Sequence, residues 1–85
     1  MKSVEFLDEA WKEYIAWQNE DRKTLKRINN LIKSIQREGL GNGLGDPEPL
    51  KYQDGWSRRI NGKDRLVYTV KDEHLVIVAC KNHYN

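Results

Sequence analysis

Cysteine is almost missing from this 85-residue chain: there is one, Cys80. A single thiol excludes an internal disulfide framework. With only two histidines, His74 and His83, it also leaves poor material for a zinc site. Cys80 closes the apolar run Val76 to Cys80 and reads as a small core residue. Long apolar runs are missing too. Nothing approaches the roughly 20 residues that span a bilayer, and the N-terminus has no apolar stretch of the kind that heads a secretory signal. The expectation is a soluble, cytoplasmic protein with no membrane segment. The length excludes a second domain. One domain of this size buries about 60–65% of its unfolded surface, so any ligand site must lie on a face or at a rim.

Charge is present in quantity but unevenly placed. The net charge is +2, from 15 Lys/Arg and 13 Asp/Glu. The acids gather near the N-terminus (Glu5, Asp8, Glu9, Glu13, Glu20, Asp21), while six basic residues fall between Arg22 and Arg37. Lys51, Arg58, Arg59 and Arg65 follow in the second half. That asymmetry predicts a basic face and an anionic partner.

Periodicity supplies the elements. "SVEF" opens as a short strand. Leu7, Ala10, Trp11, Tyr14 and Ile15 then recur with the spacing of one helix face, with Asp8 as the expected N-cap and an end near Gln18. Trp11 and Trp17 fit helix packing. A second helix starts near Asp21, with Leu25, Ile28, Leu31, Ile32 and Ile35 as its apolar stripe. Lys23, Lys26, Asn30, Lys33 and Arg37 lie on its other side, and Gly39 is its C-cap. "GLGNGLGDPEPL" matches no phosphate-loop spacing and reads as a flexible connector, stiffened by Pro47 and Pro49 around Glu48.

Three strands follow. "GWSRRI" alternates Trp56, Arg58 and Ile60 against Ser57 and Arg59; Trp56 reads as a core residue, with stacking on RNA as the alternative. "RLVYTVK" alternates in the same way, and "HLVIVACKN" is apolar on both faces and belongs inside the sheet. Asn61-Gly62 and Asp72-Glu73 mark the turns. The expected fold is α+β: an N-terminal strand and a two-helix hairpin packed on one face of a mainly antiparallel sheet. The registers stay open. Arg59 and Arg65 share a face only if the first hairpin loop is odd. Arg65 shares a face with His83 if the second loop is odd, and with Tyr84 if it is even.

The polar residues such a fold can gather are Glu48, Lys51, Arg58, Arg59, Arg65, His83 and Tyr84. They offer an acid, an imidazole and several cations, with no nucleophilic serine beside a base and no cofactor. The set suits cleavage of RNA without metal. One group takes the proton of a 2′-hydroxyl, fixed cations stabilise the charge on the phosphorane, and another group protonates the departing 5′-oxygen.

Four stretches, "PEPLK", "GWSRRI", "DRLVY" and "ACKNHY", closely resemble the YoeB toxins of the RelE superfamily, and "AWKEYIAWQNEDRKTLKRINNLIK" is similar to that family's helical segment. The resemblance runs over nearly the whole chain. It implies a toxin of a type II toxin–antitoxin pair that enters the ribosomal A site, cleaves the mRNA there and is inhibited by a YefM-like antitoxin. Similar toxins often dimerise, which makes a homodimer an expectation. Carried over by motif, Glu48 is the general base and Lys51 neutralises the scissile phosphate. Arg59, with Arg58 beside it, binds RNA; Arg65 stabilises the transition state. His83 is the general acid and Tyr84 orients the nucleotide.

A free glutamate is a weak base and a free histidine mostly neutral at pH 7. The ribosome and mRNA are therefore expected to complete the site, with little activity on free RNA. The chain departs from the family in its glycine-rich connector, in a short loop after Lys51, in Asp64 where histidine is common, and in Lys81-Asn82 for the more usual Arg-Tyr. Two other readings compete. One is occupancy of ribosome or RNA without cleavage. The other is a gyrase-targeting toxin on the same scaffold, whose relatives lack this Glu/Arg/His set.

Overall fold

The computed structural model describes residue 1 and residues 3–82. In chain order it contains β1 (Val4–Phe6), α1 (Asp8–Glu20), α2 (Arg22–Glu38), β2 (Glu48–Pro49), β3 (Trp56–Arg59), β4 (Arg65–Lys71) and β5 (His74–Ala79). One residue, Asp21, links the helices. Its carboxylate accepts from the backbone N–H groups of Lys23 and Thr24, starting α2, while its own N–H donates to the Trp17 carbonyl and ends α1. Those hydrogen bonds hold its pKa below the usual carboxylate value, the Thr24 hydroxyl contributing most.

Asp8 does not cap α1. Leu7 takes that position, with no side-chain cap, because its N–H still belongs to the sheet and donates to Ile77. Asp8 and Glu9 occupy the first helical turn, where their charge meets the positive end of the helix dipole. Gly39 ends α2 as expected, at φ 93°.

The five strands lie in the order β1-β5-β4-β3-β2. β1 runs parallel to β5, and the other neighbours are antiparallel. Cross-strand partners share a face, so the registers sort the sheet into two sides. One side carries Val4, Phe6, Leu66, Tyr68, Leu75 and Ile77 and packs on Ala10 and Trp17 of α1 and Ile28, Leu31, Ile32 and Ile35 of α2. Each fully buried aliphatic side chain there contributes about 1.5–3 kcal/mol. Trp17 joins this core; Trp11 stays half exposed, its ring against Phe6 and Tyr14. No described helix is long and apolar enough to cross a membrane.

Candidate active site

The opposite, helix-free side of the sheet gathers the polar residues. β2 is only two residues long, yet it fixes Glu48: Glu48 pairs with Ser57 and Pro49 with Trp56. A proline, lacking an N–H, is tolerated there because β2 is an edge. The chain then loops and returns, closed by the Leu50 N–H on the Gly55 carbonyl at 3.0 Å. Lys51 lies exposed in that loop. Gly55, at φ 135°, passes so close to β4 that a Cβ would sit 3.1 Å from the Tyr68 carbonyl oxygen.

The first hairpin loop, Ile60 to Asp64, has five residues, and Arg59 pairs directly with Arg65. The odd loop required for a shared face is therefore present. Ser57, two residues before Arg59 on the same strand, carries Glu48 onto that face. Glu48 is thus a diagonal neighbour of Arg59, about 7–8 Å away and somewhat closer between Cβ atoms. It stands on the order of 12 Å from Arg65, two strand spacings across and two residues along. Two like charges set directly opposite cost stability, and that cost is explained if an anion belongs between them.

Arg59 is well exposed, and among the described residues its guanidinium pairs with Asp46, at 3.7 Å. Its backbone is held firmly, N–H to the Gly45 carbonyl at 2.7 Å and carbonyl to the Arg27 guanidinium at 3.0 Å. The Arg65 Nη1 group donates to the carbonyls of Asn61 and Asp64 at 2.8 and 3.0 Å, which orients the guanidinium over its own hairpin.

Arg58 does not belong to this group, contrary to the RNA-binding role expected of it. Its strand parity turns it to the helix side, where it is 0% exposed. Nε donates to the Tyr68 hydroxyl; Nη1 to Ser34 Oγ and the Leu44 carbonyl; Nη2 to the carbonyls of Gly39, Leu40 and Asn42, all within 3.3 Å. A guanidinium has five N–H groups, so none is left for a phosphate. The carbonyls are those of the α2 C-terminus and the glycine-rich segment, where partial negative charge suits a cation. The segment that reads as a flexible connector is therefore wrapped on a buried arginine. Tyr68, beneath it, has its phenol pKa raised by burial, with the Arg58 hydrogen bond acting the other way.

His83 and Tyr84 lie outside the described residues. Their approach is described. Lys71 pairs with His74, an even two-residue turn, but a bulge follows: Val67 pairs with Ala79 and Tyr68 with Ile77, so Val78 is the extra residue. The bulge inverts the alternation beyond it and returns Cys80 to the helix-side core. The Cys80 thiol is pushed up to about 12 by burial first and then by the carboxylates of Glu13 and Asp64, so it stays protonated and inert.

Sequence reasoning gave Glu13, Trp17 and Asp64 no role at this exit. Glu13 accepts the Cys80 N–H at 2.8 Å, and Trp17 Nε1 donates to the Cys80 carbonyl at 2.8 Å. Buried Asp64 accepts the Asn82 N–H at 2.7 Å and the Asn61 amide at 3.0 Å. Apart from the Asn61–Asp64 bond within one turn, these are contacts between distant parts of the sequence, and local pattern carries no signal for them. A groove of about 340 Å³ opens on the other side of the sheet, between β1 and the helices, lined by Val4, Phe6, Tyr14, Asn29 and Ile32 among others. It carries no acid or arginine.

This arrangement of a strand, two helices and a mixed sheet is shared with known toxins. At 15% identity, the likeness to a chain of the Escherichia coli DinJ–YafQ complex shows the fold (TM-score 0.79, covering 98% of this chain and 94% of that one). Closer relatives narrow the class. Residues 6–84 match the model of the YoeB-like toxins of bacterial type II toxin–antitoxin systems, and the chain belongs to that family. It is 48% identical to a YoeB toxin of Synechocystis over 83 residues, 95% of each chain. It is 47% identical to one of Escherichia coli over 79 residues, 91% of this chain and 93% of the relative. Among solved structures it is similar to a Staphylococcus aureus YoeB dimer (TM-score 0.90, 46% identity, 96% and 97% of the chains). It is equally similar to the YoeB of a YoeB–YefM complex from the same organism (TM-score 0.89, 46% identity, 95% of each).

Proposed function

We propose that this toxin is a ribosome-dependent endoribonuclease that cuts mRNA in the ribosomal A site and so stops translation. The observation that supports this most is the register that sets Glu48, Arg59 and Arg65 on one face of the sheet, clear of the helices. Glu48 takes the proton from the 2′-hydroxyl of the nucleotide before the cut. The 2′-oxygen attacks phosphorus as the bond to the 5′-oxygen breaks. Arg65, with Arg59 and Lys51, stabilises the charge on the equatorial oxygens. His83 returns a proton to the leaving 5′-oxygen, and Tyr84 orients the base. The products are a 2′,3′-cyclic phosphate and a free 5′-hydroxyl, and no step needs a metal. Intramolecular attack makes positioning the main task, which a carboxylate and cations on a rigid sheet can perform.

The partners in this reading are the ribosome with its mRNA and a YefM-like antitoxin, in the cytoplasm, with a homodimer as the free form. The test is mRNA cleavage in a reconstituted translation reaction, mapped by primer extension, with wild type, Glu48→Gln and His83→Gln. Ribosome-dependent cuts at the A-site codon, absent from both variants, are expected. Arrest without cuts, equal in all three proteins, would mean occupancy instead.

A further inference from the structure

The stretch from Cys80 to Asn82 is tied down from two sides. α1 holds its first part: Glu13 and Trp17 take the two backbone groups of Cys80, and Lys81 pairs with Glu20 at 2.8 Å while lying 5.0 Å from the centre of the Trp17 ring. The start of β4 holds its last part by a reciprocal pair. Arg65 N–H donates to the Asn82 carbonyl at 3.0 Å, and Asn82 N–H donates to Asp64 Oδ1 at 2.7 Å. Asp64 is 1% exposed, and its other oxygen is fixed by the Asn61 amide. Asn82 itself sits at φ 68°, a left-handed turn that asparagine tolerates. The carboxylate therefore locks a turn in the last described residue directly onto the strand end that carries Arg65.

We propose that Asp64 is a positioning residue for RNA cleavage. By clamping the Asn82 N–H, it ties the turn at Asn82 to the start of β4, whose Arg65 N–H donates to the Asn82 carbonyl, and so fixes the strand end from which Arg65 acts. This rests on the function proposed above. Asp64 touches no substrate and acts through the backbone of Asn82. Its burial makes the clamp effective: a buried carboxylate holding two N–H groups has no water competing for either bond. A misplacement of about 1 Å in a reacting group costs on the order of 100-fold in rate.

The test uses the full chain. Single-turnover cleavage of mRNA on programmed ribosomes is measured beside ribosome affinity, and amide hydrogen exchange is measured at Asn82. Asp64→Ala is expected to cut about 30–100-fold more slowly while binding ribosomes within about threefold of wild type. Its Asn82 amide should exchange at least about 10-fold faster, with the β4 and β5 amides still protected. Asp64→Asn keeps an acceptor oxygen and should recover most of the rate; Asn82→Gly keeps both the N–H and the turn and should cut like wild type. If Asp64→Ala does not fold, a chemically synthesised chain with an ester oxygen in place of the Asn82 peptide N–H removes the donor of the same bond while keeping the turn, and is expected to show the same loss. A wild-type rate in Asp64→Ala, or a rate loss matched by lost protection across the whole sheet and unrelieved in Asp64→Asn, overturns the proposal. Failure of the wild type itself to cut overturns the nuclease reading and this inference together.

Discussion

Arg58 gives the sharpest test of the sheet's parity. Replacing it by lysine keeps the charge and most of the length but removes the planar fork. The structure allows the cost to be worked out. The guanidinium reaches six oxygens: Tyr68 Oη, Ser34 Oγ and the carbonyls of Gly39, Leu40, Asn42 and Leu44. Leu40 keeps the Tyr68 hydroxyl, and Ser34 keeps Glu38 and the Leu44 N–H. The carbonyls of Gly39, Asn42 and Leu44 lose the guanidinium, and one ammonium cannot serve all three. At about 1 kcal/mol or more for each part-buried carbonyl left without its partner, and with the buried charge losing its fork, the loss is about 3–5 kcal/mol, the range measured when a buried charge network is broken. The whole domain holds about 4–13 kcal/mol. With a urea slope of about 1 kcal/mol/M, the midpoint of Arg58→Lys should fall by about 3 M, followed by far-UV circular dichroism. Arg59→Ala, which gives up one exposed pair with Asp46, should move by less than about 1 M. A residue whose role was to bind RNA would behave in the opposite way, with Arg58→Lys stable and impaired only in binding. A midpoint within about 0.5 M of wild type would refute the structural role argued here.

Three further outcomes follow from the same geometry. Glu48→Gln should lower single-turnover cleavage by about 100-fold or more, the scale of a lost general base, and leave the thermal midpoint unchanged because Glu48 is exposed on an edge strand. Cys80 predicts an alkaline loss of stability: its thiol titrates near 9.0 when unfolded and about 12 when folded, so above pH 9 only the unfolded chain releases the proton. Stability is then full below pH 9, about 1.4 kcal/mol lower by pH 10, and continues to fall towards 12; Cys80→Ala should flatten that slope in urea titrations at pH 8 to 10.5. Gly45→Ala should destabilise by about 1–3 kcal/mol, since its φ is +90° and a Cβ would meet Leu31 at 2.7 Å; Gly62→Ala, with open space around it, should change the thermal midpoint by less than about 3 °C.

What could be read in the sequence divides along the range of the forces involved. The stripe of α2 repeats every three or four residues and is buried as expected. The turn at Asp21 and the C-cap at Gly39 are local chemistry and were equally legible. The glycine-rich segment was not, because its order comes from an arginine on a strand that begins eleven residues after Gly45. Nor was the bulge at Val78, since all residues from Leu75 to Cys80 are apolar and the phase of their alternation carries no signal. Asp64 stood out only as a departure from the family's usual histidine, and only the folded chain brings it to Asn82. Yet the misplacement of Arg58 was avoidable. Adjacent residues on a strand face opposite ways, so "RR" in "GWSRRI" cannot supply two arginines to one surface. Arg58 alternates with Trp56 and Ile60, both apolar, and that company argues for the core. Arg59 falls in phase with Ser57, opposite Glu48 on the neighbouring strand. The same two-residue period that makes the site from Glu48, Arg59 and Arg65 therefore requires Arg58 to be buried. In this sheet one arginine stabilises the connector that leads into Glu48, and its neighbour faces the open side proposed to meet RNA.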